Sequence, residues 1–188
     1  MLDTALKFLR DELRSYIIAR TGSTLVDVKL SKVVDELGKY AFLEETIGLS
    51  LINLEEERTM KEQLPKYNPN DSYLVREPEL RLNLYIMLAA NFRQYDQALM
   101  YLSYVLTYFQ SHPVFTSDKY PALDARIGKL VLELQSVTYE QLNQIWASVG
   151  GKQLPCMIYK VRMVVLQDIE PAGIRVPISI ITTSTENK

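Results

Sequence analysis

The sequence predicts an α+β fold in which a mixed, mainly antiparallel sheet is covered by helices. Segments with apolar residues at helical spacing are interleaved with segments in which apolar and polar residues alternate one by one. The chain has 188 residues, of which 47% are hydrophobic and 23% charged, and this is the size and composition of one globular domain. We therefore expect a single α+β domain over residues 1–168, followed by an extended C-terminal arm over residues 169–188.

The first predicted elements are one helix and two strands. Apolar residues recur at helical spacing from Leu2 to Ile17, which predicts an amphipathic helix that ends near Gly22. Alternating residues predict strands over residues 25–30 and 47–54. In the second of these strands the alternation changes phase at Ile52, which indicates either a β-bulge or burial of both faces.

The middle of the chain predicts a loop, a strand and a helix. Residues 63–78 are rich in proline and asparagine and predict a loop. Residues 80–88 predict the clearest strand, because every second residue is leucine or isoleucine. Asn91 and Gln94 form a predicted capping box that begins the next helix, which runs to about residue 110 and ends before His112.

The last predicted elements of the domain are a strand, a helix and a strand. Residues 130–134 alternate and predict the first strand. Thr138 and Gln141 form a second capping box, for a helix that ends at the two glycines of residues 150–151. Residues 157–166 predict the second strand, with its two basic residues on one face.

Charge and composition exclude several classes of protein. The formal net charge is -2, so the chain lacks the net positive charge with which proteins neutralise phosphates, and we expect no nucleic-acid partner. One cysteine and one histidine cannot build a disulfide framework or a Cys/His zinc site within one chain. We expect no metal and no organic cofactor, and these counts are poor for an enzyme.

The N-terminal segment does not have the pattern of a signal peptide, and no apolar stretch is long enough to cross a membrane. Asp3, Lys7 and Arg10 interrupt the apolar core that a signal peptide requires. The longest apolar stretches, such as residues 84–90, are far shorter than the roughly 20 residues that cross a bilayer. We expect a protein that is made in the cytosol and is not inserted directly into a membrane, and any export must be non-secretory, for example as part of a larger particle.

The usual catalytic motifs are missing from the sequence. It contains neither a glycine-rich phosphate loop nor a nucleophile elbow. His112 lies at the end of a predicted helix, where an imidazole more often caps backbone carbonyls than transfers protons. Cys156 follows Pro155 at the start of an apolar strand, which is typical of a buried, unreactive thiol.

Residues 55–58 form a charge cluster of three glutamates and an arginine. Alternate residues of a strand share a face, so only Glu55 and Glu57 can converge. No histidine is near in the sequence and Arg58 follows directly. This favours a charge cluster on the surface or at an interface over a metal site.

The helix that follows Asn91 has apolar residues on two sides. One stripe suits a core and consists of Tyr95, Ala98, Leu99, Leu102, Leu106 and Phe109. The second stripe, on nearly the opposite side, consists of Met100, Tyr101, Tyr104 and Tyr108. Tyrosine is common at interfaces because it joins a large ring to a polar tip. Two interpretations remain: the tyrosines contact another chain, or they lie on the surface of their own domain.

The C-terminal segment has the pattern of a strand. Its apolar residues alternate with polar residues and a proline, and they are Ile174, Val176, Ile178 and Ile180. Pro177 cannot donate to a strand ladder, which confines the segment to a sheet edge or a bulge. It is either the last edge strand of its own sheet or a strand that pairs with another chain.

Three blocks of sequence resemble one protein family. They are LSLINLEEERTMKE (residues 49–62), LNLYIMLAANFRQYDQALMYLSYVLTYFQSHPVF (residues 82–115) and LNQIWASVGGKQLPCMIYKVRMVVLQD (residues 142–168). In order and spacing they resemble the cap, or tail-terminator, proteins of contractile injection systems of the antifeeding-prophage type. One departure is Cys156, where the family usually has a small hydroxyl residue.

The resemblance implies a tail-terminator-like α+β domain that works by assembly and has no catalytic residue. Such a protein forms a homo-hexamer on the inner tube and the sheath, at the end remote from the baseplate, and the particle is assembled in the bacterial cytoplasm. From the resemblance and the patterns together we expect three contact surfaces. They are a subunit or tube interface at Tyr101, Tyr104 and Tyr108, a ring-to-ring contact at Glu55, Glu57 and Arg58, and strand addition to a sheath subunit or a neighbouring cap by Ile174, Val176, Ile178 and Ile180.

Two other functions stay open at this point. One is an adaptor or completion protein at a different level of a phage-tail-like particle, which would use the same kind of interfaces. The other is a small hydrolase, whose polar site would have to be drawn from Ser50, Glu55, Glu57 and His112. No spacing in the sequence joins those four residues.

Overall fold

The computed structural model of the chain describes residues 1–57, 66–67, 73–74, 80–165 and 174–175. Within these residues it contains three helices, which are α1 (Leu2–Thr21), α2 (Tyr95–Ser111) and α3 (Tyr139–Val149). The same residues contain nine strands, which are β1 (Asp27–Leu30), β2 (Thr46–Glu56), β3 (Lys66–Tyr67), β4 (Tyr73–Leu74), β5 (Leu80–Asn91), β6 (Val114–Thr116), β7 (Ile127–Leu134), β8 (Cys156–Val165) and β9 (Ile174–Arg175).

Six of the strands form one sheet in the order β1-β2-β5-β8-β7-β6. β1 pairs with β2 in parallel, and every other neighbouring pair in this sheet is antiparallel. The sheet is therefore mixed and mainly antiparallel, and it packs against helices. This confirms the predicted α+β fold class.

The main core lies between one face of the sheet and helices α1 and α2. Leu9, Leu13 and Ile17 of α1 are fully buried because their spacing places them on one side of the helix. From β5 the same core receives Leu84, Ile86 and Leu88, which confirms the face predicted for this strand. Each fully buried side chain of this kind stabilises the fold by roughly 1.5–3 kcal/mol, since it leaves water.

A second core lies on the opposite face of the sheet. There α3 and residues 31–45 pack onto the sheet, and Trp146 and Phe42 contact Met87 and Ile158. The ring of Phe42 lies directly over the backbone of Gly48 in β2, where a Cβ atom would stand 2.4 Å from a ring carbon. A glycine is therefore needed at this position for the aromatic ring to reach the strand.

Several local predictions are confirmed. Gly22 ends α1 with a φ of 65°, and its N–H donates to the carbonyl of Ile18. The register of β2 shifts between Leu51 and Asn53, so the change of phase at Ile52 is a β-bulge.

The capping box predicted for α3 is present. The backbone N–H of Gln141 donates to Oγ1 of Thr138 at 3.3 Å, and that of Thr138 donates to Oε1 of Gln141 at 2.9 Å.

The capping box predicted for α2 is wrong. Asn91 is the last residue of β5, and its side-chain amide donates to the carbonyl of Phe42 at 3.2 Å. The N-cap of α2 is Gln94, which makes no side-chain capping hydrogen bond. Asn91 belongs to β5 because the pairing of β5 with β2 continues as far as Asn91, which lies opposite Thr46.

A second, three-stranded sheet has the order β3-β4-β9. The loop predicted over residues 63–78 therefore contains two short strands, and the remainder of that range lies outside the described residues. In β9, Ile174 pairs with Leu74 and Arg175 with Tyr73 of the same chain. Ile174 and Arg175 thus form an edge strand in a sheet of their own chain, which is one of the two predicted interpretations. Val176, Ile178 and Ile180 lie outside the described residues. The division into a domain and an arm at residue 168 stays a prediction.

In the part of the chain that the structure describes, every helix is too short or too polar to cross a bilayer.

Candidate interaction surfaces

Helix α2 turns Tyr101, Tyr104 and Tyr108 toward the core and not away from it. Tyr101 and Tyr108 are 7% and 5% exposed and belong to the main core, and Tyr104 packs partly buried against it. Their expected position opposite the core stripe is therefore wrong. The core-facing residues are Ala98, Tyr101, Leu102, Val105, Tyr108 and Phe109. Whether Tyr101, Tyr104 and Tyr108 also contact another subunit stays a prediction.

The partners of Tyr108 explain this orientation. Its hydroxyl donates to Oε2 of Glu12 in α1 at 3.1 Å, and its ring lies 4.8 Å from that of Tyr16. Burial and, after it, the Glu12 carboxylate raise the pKa of Tyr108 above its ordinary value. The polar tip thus finds an acceptor inside the domain, so the ring can be buried without losing a hydrogen bond.

His112 ends α2 in the way the sequence predicts. Its Nδ1 lies 3.1 Å from the carbonyl oxygen of Tyr108, and its backbone N–H bonds to the same oxygen at 2.9 Å. Ser50 is buried, and its hydroxyl donates to the carbonyl of Ser31 at 2.7 Å. Two of the four residues that the hydrolase alternative requires are thus bonded to backbone carbonyls.

The exposed side of α2 is apolar at its N-terminal end. Tyr95, Leu99 and Met100 are 68%, 46% and 42% exposed. The sequence assigned Tyr95 and Leu99 to the core stripe, so this surface was missed. The signal that could have indicated it is the presence of two apolar stripes on one helix, because a single core-facing side cannot bury all members of both.

An open groove of about 600 Å³, which we call the α2 groove, runs beside this surface. Its walls include Tyr95 and Leu99 of α2, Leu142 of α3, and residues 153–157, which lead into β8. All of the residues that line it are uncharged. The groove is therefore suited to an apolar, uncharged segment of polypeptide.

Cys156 lies in the wall of the α2 groove and is partly buried. Burial raises the pKa of its thiol, and an interaction with Trp146 lowers it to a smaller extent. The raised pKa agrees with the predicted unreactive thiol, although the residue is only partly and not fully buried.

The acidic cluster of β2 lies on the face of the sheet that α3 covers elsewhere. Oε2 of Glu55 accepts a hydrogen bond from the hydroxyl of Tyr85 at 2.9 Å, and Oε2 of Glu57 accepts one from the amide of Asn83 at 3.2 Å. Because Asn83 and Tyr85 share a face of β5, the convergence of Glu55 and Glu57 is confirmed. Arg58 lies outside the described residues.

Basic residues of β8 extend this polar surface. The register places Lys160 beside Tyr85 and Arg162 beside Asn83, and the amino group of Lys160 lies 5.9 Å from the centre of the Tyr85 ring. Arg162 also forms an ion pair with Glu133 of β7. Charged residues of β2, β7 and β8 thus lie in rows with the polar residues of β5 between them, which is suited to fixing the register of a contact.

The described residues bring no three histidine, cysteine, aspartate or glutamate side chains together in a group that could hold a metal ion.

The fold is similar to those of two solved proteins that terminate tubes. One is described as the PVC sheath/tube terminator, in its extended state, of an extracellular contractile injection system, with a TM-score of 0.65 and 14% identity. The other is the tube terminating cap of the anti-feeding prophage, with a TM-score of 0.60 and 13% identity. The alignments cover 100% and 96% of this chain but only 64% and 61% of those chains.

The sequence itself identifies the family. The chain belongs to the Pvc16 N-terminal domain family, whose match extends over residues 4–180. This confirms the resemblance to the caps of contractile injection systems. No curated protein is significantly similar in sequence to this chain.

Proposed function

We propose that the chain is the cap of a contractile injection system, which ends the inner tube and the sheath at the end remote from the baseplate. The observation that carries this proposal is the family match over residues 4–180. Similarity of the fold to two tube-terminating proteins along nearly the whole chain supports it.

The function is geometric and involves no catalysis and no cofactor. Six copies form a closed ring that matches the six-fold ring beneath it. Its upper face offers no surface to which a further ring of tube or sheath subunits can bind, so polymerisation stops. The particle is assembled in the bacterial cytoplasm and released with the cap in place.

Subunit contacts of the ring involve the exposed side of α2. The sequence predicted this contact at Tyr101, Tyr104 and Tyr108, and two of these rings are buried in their own domain. The exposure of the apolar residues Tyr95 and Leu99 supports a contact through them instead. A tyrosine-to-serine change at a buried position would damage the core, so it does not test the interface.

Two other surfaces complete the contacts. Glu55 and Glu57, held by Tyr85 and Asn83, fix the register of the contact between rings, together with Arg58. The apolar C-terminal segment after Arg175, which contains Val176, contacts an adjacent subunit, either of the sheath or of the cap.

Deletion of the gene followed by electron microscopy of the particles tests the function. We expect tubes and sheaths of irregular or excessive length, restored to a uniform length when the gene is supplied again. Tubes of normal length with a defective baseplate would indicate an adaptor at another level, and would refute the proposal. Native mass spectrometry of the purified chain tests the ring, since six copies are expected.

A further inference from the structure

We propose that residues 176–185 of one copy lie in the α2 groove of a neighbouring copy, and this rests on the proposed ring. The inference assigns an occupant to a surface that the domain leaves exposed. It also assigns an acceptor to the C-terminal segment, and so links consecutive subunits head to tail.

The chemistry of the groove limits what can bind there. Tyr95 and Leu99 present exposed apolar surface on one wall, and Leu142 and Leu154 are partly buried on the other. All residues of the lining are uncharged, so a charged segment would lose its hydration without gaining an ion pair. The occupant must therefore be apolar and free of charge.

The chain contains a segment with this composition directly after β9. Residues 176–185 read VPISIITTST, which is ten residues without a charge, four of them valine or isoleucine. Charged residues stand on both sides, Arg175 before the segment and Glu186 after it. The uncharged stretch and the uncharged groove are thus complementary.

Length permits the segment to reach a neighbouring copy. At about 3.3 Å per residue, ten extended residues span roughly 33 Å. A domain of this size has a radius of gyration of about 16 Å, so the segment is comparable in length to a large part of the domain's width. Since β9 is held by β4 of its own chain, the segment starts from a fixed point and can extend from there. A segment of one copy in the groove of the next is a heterologous contact, and six such contacts generate a ring when the rotation between subunits is one sixth of a turn.

The single cysteine of the chain makes the proposal testable by cross-linking. Cys156 lies in the groove wall, so an Ile178→Cys variant contains one cysteine in the groove and one in the proposed occupant. Because burial raises the pKa of the Cys156 thiol, the assembled protein is oxidised at mildly alkaline pH, and it should give covalent dimers and higher oligomers on a non-reducing gel. The matched control is Asn187→Cys, whose cysteine lies beyond the uncharged segment and should cross-link at least several-fold less.

Two substitutions on α2 separate docking in the groove from chance collision. Leu99 and Met100 are adjacent and similarly exposed, at 46% and 42%, but only Leu99 lines the groove. In the Ile178→Cys background, Leu99→Glu should lower the yield of cross-linked oligomer about tenfold, because it places a charge in the apolar groove. Met100→Glu should leave the yield unchanged.

The mass of the unoxidised sample distinguishes failure of this inference from failure of the proposed function. If rings of six form but no intermolecular disulfide appears, the docking is refuted and the ring stands. A disulfide within one chain, or equal yields from Leu99→Glu and Met100→Glu, would also overturn it. Absence of rings in the unsubstituted protein would refute the proposed ring and the docking with it.

Discussion

Substitution of Gly48 by alanine provides a sharp test of the second core. The new methyl carbon would stand 2.4 Å from Cε1 of Phe42 and 2.6 Å from two further ring carbons. Carbon atoms pack best at about 3.5–4.0 Å, so the ring must withdraw by about 1 Å or more. Phe42 is only 2% exposed, and it packs in the same cluster as Trp146, so little free space receives it.

The expected cost follows from this overlap. Overpacking of a close-packed core typically costs 1–3 kcal/mol, and we expect a loss of about 2 kcal/mol in the free energy of unfolding. For a chain of this length that corresponds to a decrease in Tm of about 4–8 °C. Urea unfolding can be followed by the fluorescence of Trp146, the single tryptophan of the chain.

A second variant identifies the cause of the loss. Phe42→Leu replaces the aromatic ring with a smaller aliphatic side chain, so Gly48→Ala should cost at least about 1 kcal/mol less in that background. Gly151→Ala is a graded control, because its Cβ would stand 3.0 Å from Cγ1 of Val34 and the strain is milder. The reasoning is refuted if Gly48→Ala changes the free energy of unfolding by less than about 0.5 kcal/mol, or if its cost is the same with leucine at position 42.

Two further predictions concern α3 and β8. Thr138→Ala removes the capping box and should lower the free energy of unfolding by about 1 kcal/mol. Thr107→Ala, an exposed change within α2, should lower it by less. Equal losses would contradict the role of the cap. Burial raises the pKa of Tyr159 to about 12, whereas the pKa of a tyrosine in the unfolded chain is about 10. The neutral, buried phenol therefore stabilises the fold fully below about pH 10, and this stabilisation, up to about 3 kcal/mol, is lost as the pH rises toward 12. Between pH 9 and 12 the free energy of unfolding should therefore decline less steeply for Tyr159→Phe than for the unsubstituted protein. Parallel curves for the two proteins would show that ionisation of Tyr159 does not cause the decline.

The elements that the sequence predicts correctly are those whose signals are local. The alternation in β5, the bulge at Ile52 and the Thr138 capping box each depend on residues within a few positions of one another. Such patterns need no knowledge of distant partners. The longer strands, the buried face of β5 and the fold class therefore follow from the sequence, whereas the short strands β3, β4 and β6 were not predicted.

The orientation of α2 could not be predicted because it depends on a distant partner. The helix has two apolar stripes, and the face that packs on the core takes Leu102 and Phe109 from one and Tyr101 and Tyr108 from the other, a division that periodicity alone does not predict. Two residues of α1, more than 90 positions away, fix the orientation of the helix. Glu12 accepts a hydrogen bond from the hydroxyl of Tyr108, and Tyr16 packs against the ring of Tyr108. For the same reason Asn91 resembles a helix cap in sequence but belongs to a strand, whose length is set by pairing with β2.

The candidate surfaces divide in the same way. Glu55 and Glu57 lie on one strand, so their convergence could be predicted from its alternation. The α2 groove joins α2 to residues 153–157, some fifty positions further along the chain, and no local pattern connects them. A surface that forms only when distant segments of the chain come together cannot be predicted from the spacing of residues within one segment.

The pairing of β4 with β9 has a consequence for the order in which the chain folds during synthesis. Leu74 and its partner Ile174 are 174 - 74 = 100 positions apart, so β4 leaves the ribosome long before the strand that completes its sheet. At about 5–20 residues per second, the interval is roughly 5 to 20 s. The small sheet is therefore among the last parts of the molecule to form, after the helices and most of the large sheet have been translated. The segment that follows β9 therefore becomes available for contact with other subunits only after the strands of the large sheet have been translated.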